Sequence, residues 1–321
     1  MDVSKPERKQ EFLLDTGVFY ALSKPQVEML LNNKHRIHLS SGVMVPFELI
    51  SGIPSSESPD AERQFRSRQA ALSKYEKLIG VTGTYWDAPS IIRQKAFGFP
   101  VLRQSNTSLQ ILIKACIECN SITELETVIK AAQVLSASMP SLDWFRQQAD
   151  TVSQAFRNSF DSGKQSIEKV TESQLPKDEE RSMKEQRKII RGFIPYLYQV
   201  GDIHTQIFLA LAEAAGAWNG QLSGADLYEE CIKVSQQLKE RYDGSIDLYI
   251  TALAAYWTEK WLDGSGPHRN DSFDLDHIVY LRKNDPNQVF VTTDNSLGSR
   301  CIHAAPERAV SINAFLDRVN S

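Results

Sequence analysis

The stretch Phe12-Leu13-Leu14-Asp15-Thr16 decides the fold that the sequence predicts. Its three apolar residues are followed directly by an acid, and Gly17 then ends the run. A short apolar run with this boundary is typical of a buried β-strand. We therefore expect Asp15 to lie at the carboxyl end of a strand, which is where α/β proteins place their functional sites.

A stretch near the other end of the chain has the same form. Val289-Phe290-Val291-Thr292-Thr293-Asp294 reads as an apolar strand that ends at an acid. The carboxyl ends of parallel strands meet at one edge of a sheet, so Asp15 and Asp294 are expected to lie near each other. A further short strand is predicted around residues 37–39, and the helix after it carries Glu48 beside its apolar face.

Helical patterns fill most of the sequence between these ends. Candidate helices lie near residues 60–79, 107–137, 141–170, 178–191, 202–217, 224–241 and 246–262. After a break at residues 263–267 come an apolar helix at Ile278, Val279 and Leu281, the strand ending at Asp294, a helix from about Ser296, a strand around residues 310–312 and a closing helix. This order predicts an α/β protein with a parallel sheet and an enlarged central crossover. We expect residues 1–58 and 264–321 to form one discontinuous core and residues 59–263 to form a mostly helical insertion.

The composition is that of a folded protein with a slightly acidic balance. The 321 residues include 36 Lys and Arg against 40 Asp and Glu, which gives a formal net charge of -4. An acidic total argues against binding nucleic acid by bulk charge, although an acidic pocket can bind it once a metal ion is held there. The charged first residues and the lack of a long apolar run favour a cytoplasmic protein that does not enter a membrane. Cys116 and Cys119 form a C-x-x-C without a second pair, which favours reduced, half-buried thiols over a zinc site.

The acids in these stretches are candidate ligands of a metal ion. Asp274 and Asp276 precede the late apolar helix, and together with Glu48, Asp15 and Asp294 they form a set of carboxylates. Two carboxylates ~4 Å apart repel each other by about 4 kcal/mol at an effective dielectric near 20, so such a cluster needs a cation. Oxygen ligands prefer Mg²⁺ or Mn²⁺ over zinc. Any one acid alone is better explained as a helix cap or turn residue, but four in this order favour a metal site.

Four motifs of the chain resemble those of the PIN-domain nucleases. They are Phe12-Leu13-Leu14-Asp15-Thr16, Pro46-Phe47-Glu48-Leu49, Asp274-Leu275-Asp276-His277-Ile278 and Val291-Thr292-Thr293-Asp294. The resemblance covers roughly residues 11–53 and 268–319. It implies a PIN-like parallel-sheet sandwich, here interrupted by a large helical insertion. It also implies a metal-dependent endonuclease that acts mostly on RNA, as a toxin, a processing enzyme or part of a defence system.

Carried over by position, the resemblance implies that Asp15, Glu48, Asp274 and Asp294 are the catalytic residues and the ligands of Mg²⁺ or Mn²⁺. Asp276 competes with Asp274 for the third position, and Asp271 is a weaker rival; the sequence leaves this choice open.

Two further residues are expected to support the site. Thr292 would orient Asp294 by a hydrogen bond, and His277 would cap a helix or support the acids rather than act as a general base. Two departures from the family pattern stand beside them. Gly17 occupies a position where the family usually has Asn, and the separation between Glu48 and Asp274 is far longer than in compact members.

The sequence leaves three functions open. The first is an endoribonuclease in which metal-activated water attacks the RNA phosphodiester, plausible as a toxin or defence effector. The second is a structure-dependent DNA nuclease with the same acids, because recognition of the 2′-hydroxyl is not encoded in a metal motif; single-stranded DNA is then the alternative substrate. The third is a catalytically idle PIN-like scaffold. In each case the helical insertion is a candidate surface for a protein partner or inhibitor.

Overall fold

The computed structural model describes residues 9–80, 83–85, 91–92, 94, 107–136, 139–174, 201, 203–205, 207, 224–262, 264–282, 285–294 and 306–321. The expected helices near residues 178–191 and from about Ser296 lie outside these residues. The expected helix near residues 202–217 lies largely outside them. Every helix within the described residues is too short or too polar to cross a membrane.

The described strands form one five-stranded sheet in which all neighbours are parallel. The strands are β1 (Gln10–Leu14), β2 (Ile37–Gly42), β3 (Thr84–Tyr85), β4 (Gln288–Thr292) and β5 (Ala309–Ser311). Their order across the sheet is β3-β2-β1-β4-β5. The central strand β1 pairs Phe12 with Leu39 of β2 and with Val289 of β4. An α/β fold with a parallel sheet, as the sequence predicts, is confirmed.

Helices occupy most of the remaining described chain. In chain order they are α1 (Thr16–Ala21), α2 (Lys24–Asn32), α3 (Met44–Ser51), α4 (Ala61–Leu78), α5 (Thr107–Glu118), α6 (Ile122–Leu135), α7 (Leu142–Gln174), α8 (Gly224–Arg241), α9 (Asp247–Leu262), α10 (Asp271–Asp276) and α11 (Ile312–Asn320). The single helix expected over residues 107–137 is two, because Ser121 accepts from the amide of Glu124 and begins a new helix. The apolar helix expected after Asp276 is a 3₁₀ turn, His277–Tyr280.

The sheet buries apolar side chains on both faces. Phe12 and Leu14 of β1 join one core with residues of α1 to α7, whereas Leu13 joins a second core with residues of α9. This alternation follows from the two-residue period of a strand. Helices from residues 59–263 therefore pack on both faces of the sheet and share its cores.

The short strand β3 lies inside the segment expected to be helical, and the sequence analysis missed it. Tyr85 of β3 stacks on Tyr280, with ring centroids 5.6 Å apart, and its hydroxyl donates to the buried carboxylate of Glu11. Ser40 donates to the same carboxylate at 2.7 Å, and Arg282 forms an ion pair with it. A two-residue strand has no periodicity to detect, and it is held by these side chains more than by its own pairing.

Gly42, the last residue of β2, has no room for a side chain. A Cβ there would lie 2.3 Å from Cε2 of the Tyr280 ring. We expect Gly42→Ala to lower the free energy of unfolding by about 1–3 kcal/mol, because the packed ring must shift. Urea unfolding measures the change. Gly266→Ala is the control, since nothing lies within 4 Å of its Cβ. Equal stability of the two variants would contradict the packing of Tyr280 on Gly42.

Candidate active site

Asp15 lies at the junction of β1 and α1. Its amide donates to the carbonyl of Val291 in β4 at 3.1 Å, and its Oδ1 accepts from the amide of Val18 at 2.9 Å, so it caps α1. The side chain is only 5% exposed. Burial raises the pKa of Asp15 to about 6, with a further rise from the charge of Glu48. Hydrogen bonds from the Thr292 hydroxyl and from the amides of Val18 and Thr293 oppose that rise in pKa.

Glu48 lies on α3 and is tied to the same junction. The hydroxyl of Thr16 donates to Oε2 of Glu48 at 2.6 Å. Burial raises the pKa of Glu48, while the hydrogen bond from Thr16 and the charge of Arg68 lower it. The bond from Thr16 places the Glu48 carboxylate next to the residue that follows Asp15 in the chain.

Asp274 lies within electrostatic range of three other predicted ligands, Asp15, Glu48 and Asp294. Its pKa is raised to about 8, first by burial and then by the charges of Glu48, Asp294, Asp15 and Asp271. A carboxylate responds in this way only when like charges lie close to it in a partly dry environment. The structure therefore brings Asp15, Glu48, Asp274 and Asp294 within electrostatic range of one another at the carboxyl edge of the sheet.

Aromatic rings next to two of the acids hold their helices together. Phe47 precedes Glu48 on α3, and Phe273 precedes Asp274 on α10; their ring centroids lie 6.0 Å apart. Phe145 of α7 lies 5.4 Å from Phe47. Phe47 is thus in contact with both other rings, and it joins α3, which carries Glu48, to α10, which carries Asp274 and lies more than 200 residues later in the chain.

Thr292 links the ends of β1 and β4. Its hydroxyl donates to Asp15 and its oxygen accepts from the backbone amide of Asp294 at 2.9 Å. The side chain is buried. The expected hydrogen bond between Thr292 and Asp294 is present, and it orients the backbone of Asp294.

The rivals of Asp274 are engaged elsewhere. Asp276 accepts a hydrogen bond from the hydroxyl of Tyr249 on α9. The pKa of Tyr249 is raised first by burial and then by the charge of Asp276 and this hydrogen bond. Asp271 accepts from the hydroxyl of Tyr256 and, at 2.6 Å, from the amide of His268. The charges of Glu48, Asp294 and Asp15 raise the pKa of Asp274, which makes it our candidate for the third position.

His277 lies in the second core. Its ring is fully buried, stacks on Phe290 with centroids 6.1 Å apart, and makes no hydrogen bond to any described residue. Burial lowers the pKa of His277 to about 4, so the ring is neutral at pH 7. His277 is the C-cap residue of α10, where its backbone amide donates to the carbonyl of Leu275, and its ring packs as a core side chain. A supporting role of the ring for the acids stays a prediction.

The surroundings of Gly17 leave no room for the Asn side chain that the PIN-domain resemblance would predict at this position. A Cβ at this position would lie 2.1 Å from Oγ1 of Thr293 and 3.4 Å from Oδ1 of Asp15. The space that a side chain at residue 17 would take is thus filled by Thr293, whose amide also bonds Asp15. This packing of Thr293 on Gly17 has no local signal in the sequence, because the two residues are far apart in the chain.

The donors suit a divalent cation in type, but not yet in position. In the described part of the chain, no three His, Cys, Asp or Glu side chains are arranged to hold a metal ion as they stand. The set consists of carboxylates alone, which is the kind that Mg²⁺ and Mn²⁺ prefer, and their mutual repulsion is what a cation would relieve. The chemistry of the donors therefore fits such an ion.

A cavity of about 370 Å³ opens on the Glu48 side of these acids. Arg68 of α4 and Arg269 lie in its wall together with Glu48. The sequence analysis did not single out Arg68, because α4 carries Arg63 and Arg66 with the same local signal. Only the tertiary position of Arg68 separates it from its neighbours.

Comparison of the chain with family models, with curated proteins and with solved structures found no match.

Replacing the most perturbed acid should stabilise the metal-free protein. The folded state keeps the Asp274 proton to about pH 8, whereas the ordinary pKa is 3.8, so ionisation increasingly opposes folding as the pH rises between these values. We expect Asp274→Asn, in EDTA, to raise the free energy of unfolding by about 1–3 kcal/mol near about pH 8.5 and by less near about pH 5. Urea unfolding at the two pH values measures this.

The exposed Asp317 on α11 provides the matched control, as Asp317→Asn. It should leave the pH dependence of stability as in the parent protein. A gain that is absent, or equal at both pH values, would show that Asp274 is not under strain from its neighbours.

Proposed function

We propose that this protein is a metal-dependent endoribonuclease that hydrolyses phosphodiester bonds in RNA, as a toxin or defence effector. The observation that carries the proposal is a set of four carboxylates, Asp274 and the three acids Asp15, Glu48 and Asp294 whose charges raise its pKa, and these come from four different parts of the chain. Such concentrated negative charge is costly to folding, and costly arrangements of this kind cluster at functional sites. Its order in the chain also agrees with the PIN-domain resemblance.

Within this proposal, the acids bind the metal ion and two threonines orient the acids. Asp15, Glu48, Asp274 and Asp294 would hold Mg²⁺ or Mn²⁺, which supplies the positive charge that stabilises negative charge developing at phosphorus. Thr16 keeps the Glu48 carboxylate oriented, and Thr292 does the same for Asp15. Burial of these groups excludes bulk water and strengthens their interaction with any charge brought between them.

An alternative that a specific observation favours is a role in binding protein. Val134 and Leu135, at the end of α6, are 87% and 88% exposed. Two large apolar side chains in water at a helix end are typical of a contact with another protein when they form part of a larger patch. The scaffold and the nuclease make opposite predictions for metal binding, because a ligand of the folded state raises the melting temperature.

The variant Asp15→Asn should abolish cleavage and keep the fold. Asn caps helices as well as Asp does, so the bond to Val18 can persist while the ligand charge is lost. We expect metal-dependent cutting of single-stranded RNA by the parent protein and a loss of at least ~100-fold in the variant. Single-stranded DNA and duplex RNA in the same assay, with Mn²⁺, Mg²⁺ or EDTA, name the substrate class.

Circular dichroism and thermal melting accompany the assay. The parent protein should melt at a higher temperature with Mn²⁺ than with EDTA, and Asp15→Asn should lose that difference. Asp161→Asn, an exposed acid on α7, is the control and should cut and melt as the parent does. Absence of both cutting and metal stabilisation would refute the nuclease and favour the scaffold.

A further inference from the structure

The cavity beside Glu48 is a built site with a fixed cation in its wall. Arg68 lies in this wall, and its guanidinium rests over Gly52, where a Cβ would come within 2.1 Å of Cζ and Nη1. Its hydrogen bonds to described residues all use Nη1 and go to the hydroxyl of Tyr20 at 3.2 Å and to the carbonyls of Glu48 and Leu49 at 3.4 Å. The absence of a side chain at Gly52 thus leaves the space, called here the seat of Arg68, in which this guanidinium lies.

The other nitrogens of Arg68 have no such bonds within the described residues. Neither Nε nor Nη2 is a buried atom without a partner, so both are accessible to solvent or to a ligand. A guanidinium anchored through one nitrogen keeps its remaining donors in a fixed direction, and the planar donor pair suits a phosphate.

A second cation lies in the same wall and is weakly held. Arg269 forms an ion pair with Asp150 at 2.7 Å, but the two side chains are 53% and 64% exposed. An exposed pair of this kind contributes little to stability, so an incoming anion can replace Asp150 at little cost. The backbone of Arg269 is fixed, because the buried Ser153 donates to its carbonyl.

We propose that this cavity binds a backbone phosphate of the nucleic acid, one next to the bond that is cut, with Arg68 as its anchor and Arg269 as a second contact. The inference rests on the proposed function, since Glu48 belongs both to the acids and to the cavity wall. A cavity of about 370 Å³ has room for a phosphate with part of its nucleoside. Arg68 and Arg269 would also allow a chain with a net charge of -4 to bind a polyanion, because they supply positive charge locally, beside the acids.

The test is binding without cleavage. A fluorescein-labelled single-stranded RNA of mixed sequence is titrated with the full chain in EDTA at several salt concentrations, and anisotropy gives the affinity. Arg68→Gln should weaken binding about tenfold and lower the slope of log affinity against log salt by about one, because one phosphate contact is lost. Arg63→Gln is the matched control: it lies on the same helix, is 79% exposed and pairs with Asp60 outside the cavity.

A second variant keeps the charge and moves the group. Gly52→Ala displaces the end of a flexible side chain, so the melting temperature should change little while RNA binding weakens several-fold. Unchanged binding in Gly52→Ala, or an affinity and salt slope in Arg68→Gln equal to those of Arg63→Gln, would overturn the proposal.

The two proposals fail in distinguishable ways. If the parent protein cuts RNA in an Asp15-dependent manner but Arg68→Gln binds like Arg63→Gln, the phosphate subsite is wrong and the nuclease stands. If RNA binding depends on Arg68 but no metal produces cutting, the subsite stands and the nuclease is wrong.

Discussion

Parallel pairing between β1 and β4 is the contact on which the candidate site depends. Leu13 lies beside Phe290, and the amide of Asp15 donates to the carbonyl of Val291. This pairing places the last residue of each strand at one edge, where Thr292 bonds both Asp15 and the backbone of Asp294. Without it, the first and last acids of the site would belong to separate parts of the molecule, and no local interaction could replace it.

Ionising the buried acids of the site is unfavourable to folding, so other interactions must stabilise this part of the fold. Burial raises the pKa values of Asp15, Glu48 and Asp274, and the charges of neighbouring acids raise those of Asp15 and Asp274 further. Hydrogen bonds from Thr16 and Thr292 and the charge of Arg68 oppose this rise in pKa. Apolar packing lies behind the acids, in the contact of Phe47 with Phe273 and in the two cores of the sheet. Destabilising clusters of buried acids are typical of functional sites, where activity requires them.

The sequence predicted the parts of this arrangement that depend on local pattern. An apolar strand that ends at an acid was enough to place Asp15 and Asp294 at one edge of a parallel sheet. It was not enough to choose between Asp274 and Asp276, which lie two residues apart and therefore point about 200° apart around α10, one toward Glu48 and the other toward Tyr249. The seat of Arg68 over Gly52 and the packing of Thr293 on Gly17 depend on contacts between distant segments, which no local pattern records.

The pairing of β1 with β4 also affects how the protein folds during its synthesis on the ribosome. The strands are separated by more than 270 residues, and loop-closure entropy must be overcome before they meet. Until β4 has been made, the edge of β1 that pairs with it is open, and Asp15 lacks its hydrogen bonds with Val291 and Thr292. Helices α4 to α9 are synthesised first and can fold locally, while the cluster of charges forms last. Under the proposed function, the set of metal ligands would therefore be complete only late in translation, and the messenger RNA beside the growing chain would not be cut before then.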